Sequence, residues 1–87
     1  MESEEVTRQL RELCARVLSV PEETVIPQAR LVADLAADSL DFAELDVAVQ
    51  DMFGVTLDAD AVKRAATFGG VADLVVARLA ARAPEVA

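Results

Sequence analysis

Ser39 is the residue whose type and position are best suited to chemistry. It follows Asp38, a residue type that commonly caps helices, and it begins a run of helical periodicity that stops before Gly54. A hydroxyl at the first position of a helix lies where backbone N–H groups and the helix dipole favour an attached anion, such as a phosphodiester. The sequence therefore predicts a helix over residues 39–53 with a modifiable serine at its start.

The other side chains give little support for catalysis. The chain contains no histidine, which removes the commonest general base and the imidazole metal ligand. Cys14 falls on an apolar helical face without a partner base, so we predict a buried structural thiol. The carboxylates are spread along the chain, and no glycine-rich phosphate loop is present. We expect neither an enzyme nor a metal site.

The helix predicted over residues 39–53 is apolar on two sides. At about 100° per residue, one arc is predicted to be buried: Phe42, Leu45, Ala48, Val49, Met52 and Phe53. The opposite arc, which we call the outer strip, consists of Ser39, Leu40, Ala43 and Val47. Acidic and amide side chains border the outer strip: Glu44 and Asp51 on one side, Asp46 and Gln50 on the other. Such a border is typical of a docking surface.

The residues before Ser39 are predicted to form a helix and a long loop. Ser3 is the expected N-cap of the first helix. Its apolar face consists of Val6, Leu10, Leu13, Cys14, Val17 and Leu18. Residues 19–38 show no sustained period and contain two prolines, which predicts a loop pinned to the core by apolar side chains: Val25, Ile26, Leu31 and Leu35.

The residues after Gly54 are predicted to form two more helices. Asp58 is the expected cap of a short helix, and Thr67 of a last helix whose Gly69 and Gly70 each weaken it by roughly 1 kcal/mol relative to alanine. The last helix carries an apolar stripe: Val71, Leu74, Val75 and Leu79. The predicted fold is an all-α bundle of three longer helices and a short third one, with a long loop between helices 1 and 2.

Composition restricts the class of protein. The 87 residues allow one domain, expected to be ordered over about residues 3–82 with a tail at 83–87. A net charge of −8 argues against nucleic acid and anionic membranes as partners. No stretch reaches the roughly 18 to 20 apolar residues of a membrane span. The acidic N-terminus lacks a signal-peptide pattern, so we expect a cytoplasmic monomer.

The sequence around Ser39 resembles the phosphopantetheine attachment motif of acyl carrier proteins. The motif is Asp38-Ser39-Leu40 at the start of an acidic helix. Similarity continues upstream through residues 31–35 and downstream through residues 53–57 and 66–69. A serine at a helix start is usually only a cap, so these flanking segments carry most of the resemblance.

The resemblance implies a four-helix bundle of acyl-carrier type, with 4′-phosphopantetheine from coenzyme A on Ser39. Asp38 and Leu40 complete the attachment motif. A phosphopantetheinyl transferase would attach the group, and its thiol would hold acyl groups as thioesters. Acyltransferase- and ketosynthase-type enzymes with basic patches would then dock on the exposed side of the helix, at Asp41, Ala43, Glu44, Asp46, Val47, Gln50 and Asp51.

Several residues depart from the family pattern. Ala36 stands where the family mostly has glycine, so its backbone is expected to be ordinary or slightly strained. Asp46 occupies a commonly apolar position, and Gln50 and Met52 stand where fatty-acid carriers often have acids. These differences favour a polyketide or similar secondary pathway over housekeeping fatty-acid synthesis, and the Met1 start suggests a discrete carrier.

Two alternatives remain open. A peptidyl or aminoacyl carrier more often has Gly-Gly-x-Ser-Leu and is less acidic, so Asp38 and the net charge count against it. An unmodified acidic helical module that only docks a partner is the second alternative. Uptake of a phosphopantetheine arm would separate this module from a carrier.

Overall fold

Four α-helices make up most of residues 2–82, the residues that the computed structural model describes. They are α1 (Ser3–Leu18), α2 (Ser39–Phe53), the short α3 (Ala59–Ala65) and α4 (Phe68–Arg82). A 3₁₀ helix, Glu22–Thr24, which the sequence did not predict, lies in the long loop between α1 and α2. The predicted all-α bundle with a short third helix is confirmed. The tail predicted at residues 83–87 lies outside the described residues.

The first helix begins one residue earlier than predicted. Glu2, not Ser3, is the N-cap of α1, and it makes no side-chain capping bond. The N–H of Val6 donates to the carbonyl oxygen of Glu2 at 3.0 Å, which makes Ser3 the first helical residue. The prediction of Ser3 as a cap was therefore wrong. The helix ends at Leu18, and its C-cap, Ser19, has a left-handed backbone (φ 57°) and donates its N–H to the carbonyl of Ala15.

The four helices and the long loop all contribute to the core, and aliphatic side chains dominate it. On α2, the side chains of Phe42, Leu45, Val49 and Phe53 are buried as predicted. Met52 was expected among them but is 41% exposed, because it lies at the edge of the buried arc. Asp38 and Gly54 bound this helix as predicted, and Gly54 has the left-handed backbone typical of a helix C-terminus.

Five buried apolar side chains hold the loop between α1 and α2 to the bundle: Val25, Leu31 and Leu35, which were predicted, and Ala29 and Ala37. Ile26 was predicted to join them but is 50% exposed. Val25 occupies the inward position at this point of the loop, so its neighbour points outward. A hydrogen-bonded turn over residues 31–35 then carries the chain toward Ser39.

The two glycines at the start of α4 permit close packing. A Cβ on Gly69 would lie 2.9 Å from the carbonyl oxygen of Pro27, and one on Gly70 would lie 2.7 Å from that of Ala65. Their cost to helix propensity therefore accompanies a tight approach of α4 to the long loop and to α3. The predicted cap at Thr67 is confirmed, since its Oγ1 accepts the N–H of Gly70 at 3.1 Å.

Side chains from two helices hold the segment that leads into α3. Asp46 of α2 accepts the N–H of Leu57, and Arg78 of α4 donates to the carbonyl of Thr56 at 2.9 Å. Asp58 then caps α3 as predicted, accepting the N–H of Ala61 at 2.7 Å. None of the described helices combines the length and apolarity that a membrane span requires.

Candidate functional site

A reciprocal pair of hydrogen bonds fixes the start of α2 at Ser39. The N–H of Asp41 donates to Oδ1 of Asp38 at 2.9 Å, and the N–H of Asp38 donates to Oδ2 of Asp41 at 3.0 Å. This capping box uses one oxygen of each carboxylate. The Ser39 side chain is exposed, and its hydroxyl has no hydrogen-bond partner among the described residues. The predicted helix start and cap at Asp38 are confirmed.

The helix start also leaves backbone donors free. The first N–H groups of a helix have no partner within it, and only some of them are satisfied by side chains. Here the N–H of Asp41 is bound by Asp38, whereas those of Ser39 and Leu40 make no hydrogen bond within the described part of the chain. Two donors at the positive end of the helix dipole are therefore available beside the Ser39 hydroxyl.

The backbone turns sharply just before this helix. Ala36 has a φ of 61°, in the left-handed region, between the buried side chains of Leu35 and Ala37. Bonds from the Ala36 N–H to the Val32 carbonyl and from the Ala37 N–H to the Leu31 carbonyl hold the turn. Of the two expectations for Ala36, the ordinary conformation was wrong. The chain requires a backbone here that glycine adopts more readily than alanine.

A pocket of about 540 Å³ lies beside Ser39. Its wall is mainly apolar and comes from residues distant in the sequence: Leu31, Val32, Ala33, Ala37, Phe42 and Ala66. Ser39 and Asp38 line one edge. We call this cavity the Ser39 pocket. The sequence did not predict it, because no local pattern reveals that residues of the long loop, α2 and α3 converge.

Two basic side chains, Arg30 and Lys63, also line the Ser39 pocket. Arg30 is paired with Asp34, with 3.1 Å between Nη2 and Oδ1. Hydrogen bonds from the side chain and backbone of Arg30 lower the pKa of the Asp34 carboxyl. The ammonium nitrogen of Lys63 lies 6.0 Å from the centroid of the Phe42 ring. The two cations therefore differ, because one is neutralised by a neighbouring carboxylate and the other is not.

The outer strip is exposed as predicted, with Leu40 70% and Val47 59% accessible. Ala43, which also belongs to the outer strip, is exposed, and so are the predicted docking residues beside the strip, Glu44, Gln50 and Asp51. Two others are engaged within the protein. Asp41 belongs to the capping box, and Asp46 is half-buried against the segment that leads into α3.

No catalytic or metal-binding cluster accompanies the site within residues 2–82. Groups of three or more potential metal ligands are absent from this described part. Cys14 is fully buried in α1, and burial raises the pKa of its thiol to about 12. The prediction of a buried thiol is confirmed. Among residues 2–82, no side chain makes a hydrogen bond to the Ser39 hydroxyl, so this exposed hydroxyl is accessible for covalent attachment.

The chain is similar to known carrier proteins over nearly its whole length. A family model described as "Phosphopantetheine attachment site" matches residues 8–75. The acyl carrier protein of Thermosynechococcus vestitus is 35% identical over 81 residues, covering 93% of this chain and all of that protein. Acyl carrier protein 3 of Ralstonia nicotianae is 33% identical over 87 residues, with both chains fully covered.

A solved structure has the same fold. The acyl carrier protein of Enterococcus faecalis superposes with a TM-score of 0.73, covering 90% of this chain and 99% of that one. Its sequence is 24% identical, so this likeness shows the helical arrangement alone.

Proposed function

The chain belongs to the acyl carrier protein family, and we propose that Ser39 is the residue on which it carries 4′-phosphopantetheine. One observation carries the assignment: Ser39 is exposed at the capped start of α2, with two free backbone N–H groups and a pocket beside it. The other serines lack this setting. Ser3 begins a helix without a side-chain cap, and Ser19 closes the C-terminus of α1.

The residues at the start of α2 fit the group. The free N–H groups of Ser39 and Leu40 can donate to its phosphodiester. Attachment joins Oγ of Ser39 to the phosphorus and breaks the phosphoanhydride bond of coenzyme A, so that the nucleotide part leaves. The hydroxyl proton needs a base, and neither carboxylate of the capping box makes a hydrogen bond with the Ser39 hydroxyl. We therefore expect the transferase to supply that base. When attached, the group supplies a thiol that holds acyl groups as thioesters.

Peptide mapping tests the position of the arm. Trypsin cleaves after Arg30 and Lys63, which releases residues 31–63 as one peptide. This peptide contains Ser39 as its only serine and Thr56 as its only threonine. After incubation with coenzyme A and a broad-specificity transferase, fragmentation should place the added mass on Ser39. Mass on Thr56, or on another peptide, would contradict the assignment.

We further propose that partner enzymes approach along the outer strip. Leu40 and Val47 offer exposed apolar surface that leads away from Ser39, and Glu44 and Asp51 border it with negative charge. Basic side chains on the transferase and on acyl-processing enzymes would be attracted to these acids. Such attraction chiefly raises the rate of encounter. The apolar contacts would supply the short-range binding energy.

For the pathway, we propose polyketide or similar secondary biosynthesis. The distribution of acids on α2 supports this proposal. The Asp46 carboxylate accepts a hydrogen bond from the backbone of Leu57. The neutral Gln50 and Met52 are exposed at positions where fatty-acid carriers often have acids. The mass of the loaded carrier isolated from its native cells tests the proposal. Oxygen-rich acyl groups would support it. A ladder of saturated fatty acyl groups, or aminoacyl cargo, would contradict it.

A further inference from the structure

The Ser39 pocket contains one cation, that of Lys63, that forms no ion pair with any residue in the described part of the protein. Arg30 is bound to Asp34, whereas Lys63 forms no ion pair with any described residue. The chain has 16 acidic and 8 basic residues, so an unpaired cation at an apolar pocket is not explained by a shortage of carboxylates.

Lys63 reaches the pocket from α3 and contacts its apolar part. Its ammonium nitrogen lies over the ring of Phe42, a buried residue about one helical turn beyond Ser39. A contact of 6.0 Å to the ring centroid is at the outer limit of cation–π attraction. The ammonium therefore keeps hydrogen-bond donors available for an anionic oxygen in the pocket.

We propose that Lys63 selects acyl groups that carry an anionic oxygen at their far end, such as half-thioesters of dicarboxylic acids. The aliphatic part of the cargo lies against Leu31, Val32 and Phe42, and its terminal carboxylate pairs with the Lys63 ammonium. This inference rests on the proposed attachment at Ser39, because the arm must fold back from that residue to bring cargo into the pocket. A plain alkyl chain gains nothing from the cation.

The phosphodiester of the arm is the other possible anion. It is fixed at Oγ of Ser39, where the N–H groups of Ser39 and Leu40 are free to receive it. Lys63, by contrast, lies over the Phe42 ring and makes no hydrogen bond to Ser39 among the described residues. The geometry therefore favours the cargo as the partner of Lys63.

The experiment uses Lys63 itself as the reporter, because it is the only lysine in the chain. Protein with ¹³Cε-labelled lysine is converted to the holo, glutaryl and pentanoyl forms with a broad-specificity transferase. The two cargoes have equal chain length and differ in the terminal carboxylate. We expect the lysine signal to shift in the glutaryl form, with little change between the holo and pentanoyl forms.

Thioester hydrolysis provides a second readout. The glutaryl form of the wild type should hydrolyse about two- to five-fold more slowly than that of Lys63→Gln, the range expected of an exposed ion pair. Lys63→Arg should restore the protection. Arg64→Gln is the matched control, because Arg64 is adjacent and exposed but lines a different pocket, between α3 and α4. The pentanoyl forms of all variants should hydrolyse alike.

Four results would overturn the proposal. A lysine shift that is complete in the holo form would show that Lys63 binds the phosphodiester. Equal lysine shifts with both cargoes would show that Lys63 does not bind the terminal carboxylate. An equal loss of protection against hydrolysis in Lys63→Gln and Arg64→Gln would show the same. A chain that accepts no arm would contradict attachment at Ser39 and this inference with it, and the holo sample reveals that case before any cargo is compared.

Discussion

The carboxylate of Asp46 on α2 accepts a hydrogen bond from the backbone N–H of Leu57, with 3.2 Å between Oδ1 and N. This bond joins two positions eleven residues apart and holds the segment that leads into α3. Because α3 carries Lys63, the bond also positions one wall of the Ser39 pocket. A residue that the surface pattern assigned to docking thus has a structural contact of its own.

Asp46→Ala should lower the free energy of unfolding by about 1 kcal/mol, because the backbone N–H of the buried Leu57 loses its acceptor. Asp46→Asn keeps an acceptor oxygen and should lose less. Urea unfolding measures both variants, and hydrogen exchange of the Leu57 amide reports the local effect. If Asp46→Ala has the same free energy of unfolding as the wild type, and its Leu57 amide is equally protected from exchange, the bond does not stabilise the protein.

Reversing a charge beside the outer strip should slow association with the transferase. Glu44→Lys and Asp51→Lys remove negative charge from the proposed approach surface, so the modification rate should fall and depend less on ionic strength. Asp73→Lys makes the same charge change on an exposed residue of α4 and is the control. Val47→Asp should weaken binding at every salt concentration, since it removes apolar contact. If all four variants were modified at the wild-type rate, partners would have to use another face of the protein.

Ala36→Gly should raise the free energy of unfolding by about 0.5–1 kcal/mol, because glycine relieves the side-chain cost of a left-handed backbone. Ala33→Gly lies in the same loop, on an exposed residue without a positive φ, and should give no gain. Thermal or urea unfolding distinguishes the two. A destabilised Ala36→Gly would mean that this alanine is not strained.

Cys14 should make the protein less stable at alkaline pH. Burial raises the thiol pKa from an ordinary 9.0 to about 12, so between these values the unfolded chain releases a proton that the native chain keeps. The free energy of unfolding should then fall by about 1.4 kcal/mol for each pH unit above 9. Cys14→Ala should lack this loss, and the difference between the two proteins isolates the thiol from other groups.

The same burial should protect Cys14 from native alkylation at pH 8, with rapid reaction once the chain is unfolded. The buried placement would be contradicted if the free energy of unfolding had the same pH dependence in the wild type and Cys14→Ala. Native labelling as fast as that of a free thiol would also contradict it.

Local patterns predicted the helices well because their ends depend on neighbouring residues. Asp38 and Gly54 bound α2, and Asp58 caps α3, through contacts within a few residues of the sequence. Ser3 was misplaced because nothing in its sequence distinguishes a cap from a first helical residue. Ile26 and Met52 were misplaced because periodicity does not decide which apolar residue at the edge of a face is left in solvent.

The features that surround Ser39 depend on tertiary contacts, so local sequence patterns could not predict them. The left-handed Ala36 follows from a turn closed by bonds to Val32 and Leu31. The Ser39 pocket forms where the long loop, α2 and α3 converge, and this convergence also brings Lys63 next to Phe42. The attachment residue could therefore be predicted from the sequence, whereas the cavity and the charge beside it could be found only from the folded structure.

Intact-mass measurement after incubation with coenzyme A and a broad-specificity transferase tests the central claim most directly. The wild type should gain the mass of one phosphopantetheine. Ser39→Ala should gain none while keeping its helical circular dichroism, because an exposed first-turn residue contributes little to packing. Ser3→Ala and Ser19→Ala are the matched controls and should load like the wild type. Loading that survives in Ser39→Ala, or that is lost in either control, would contradict attachment at Ser39.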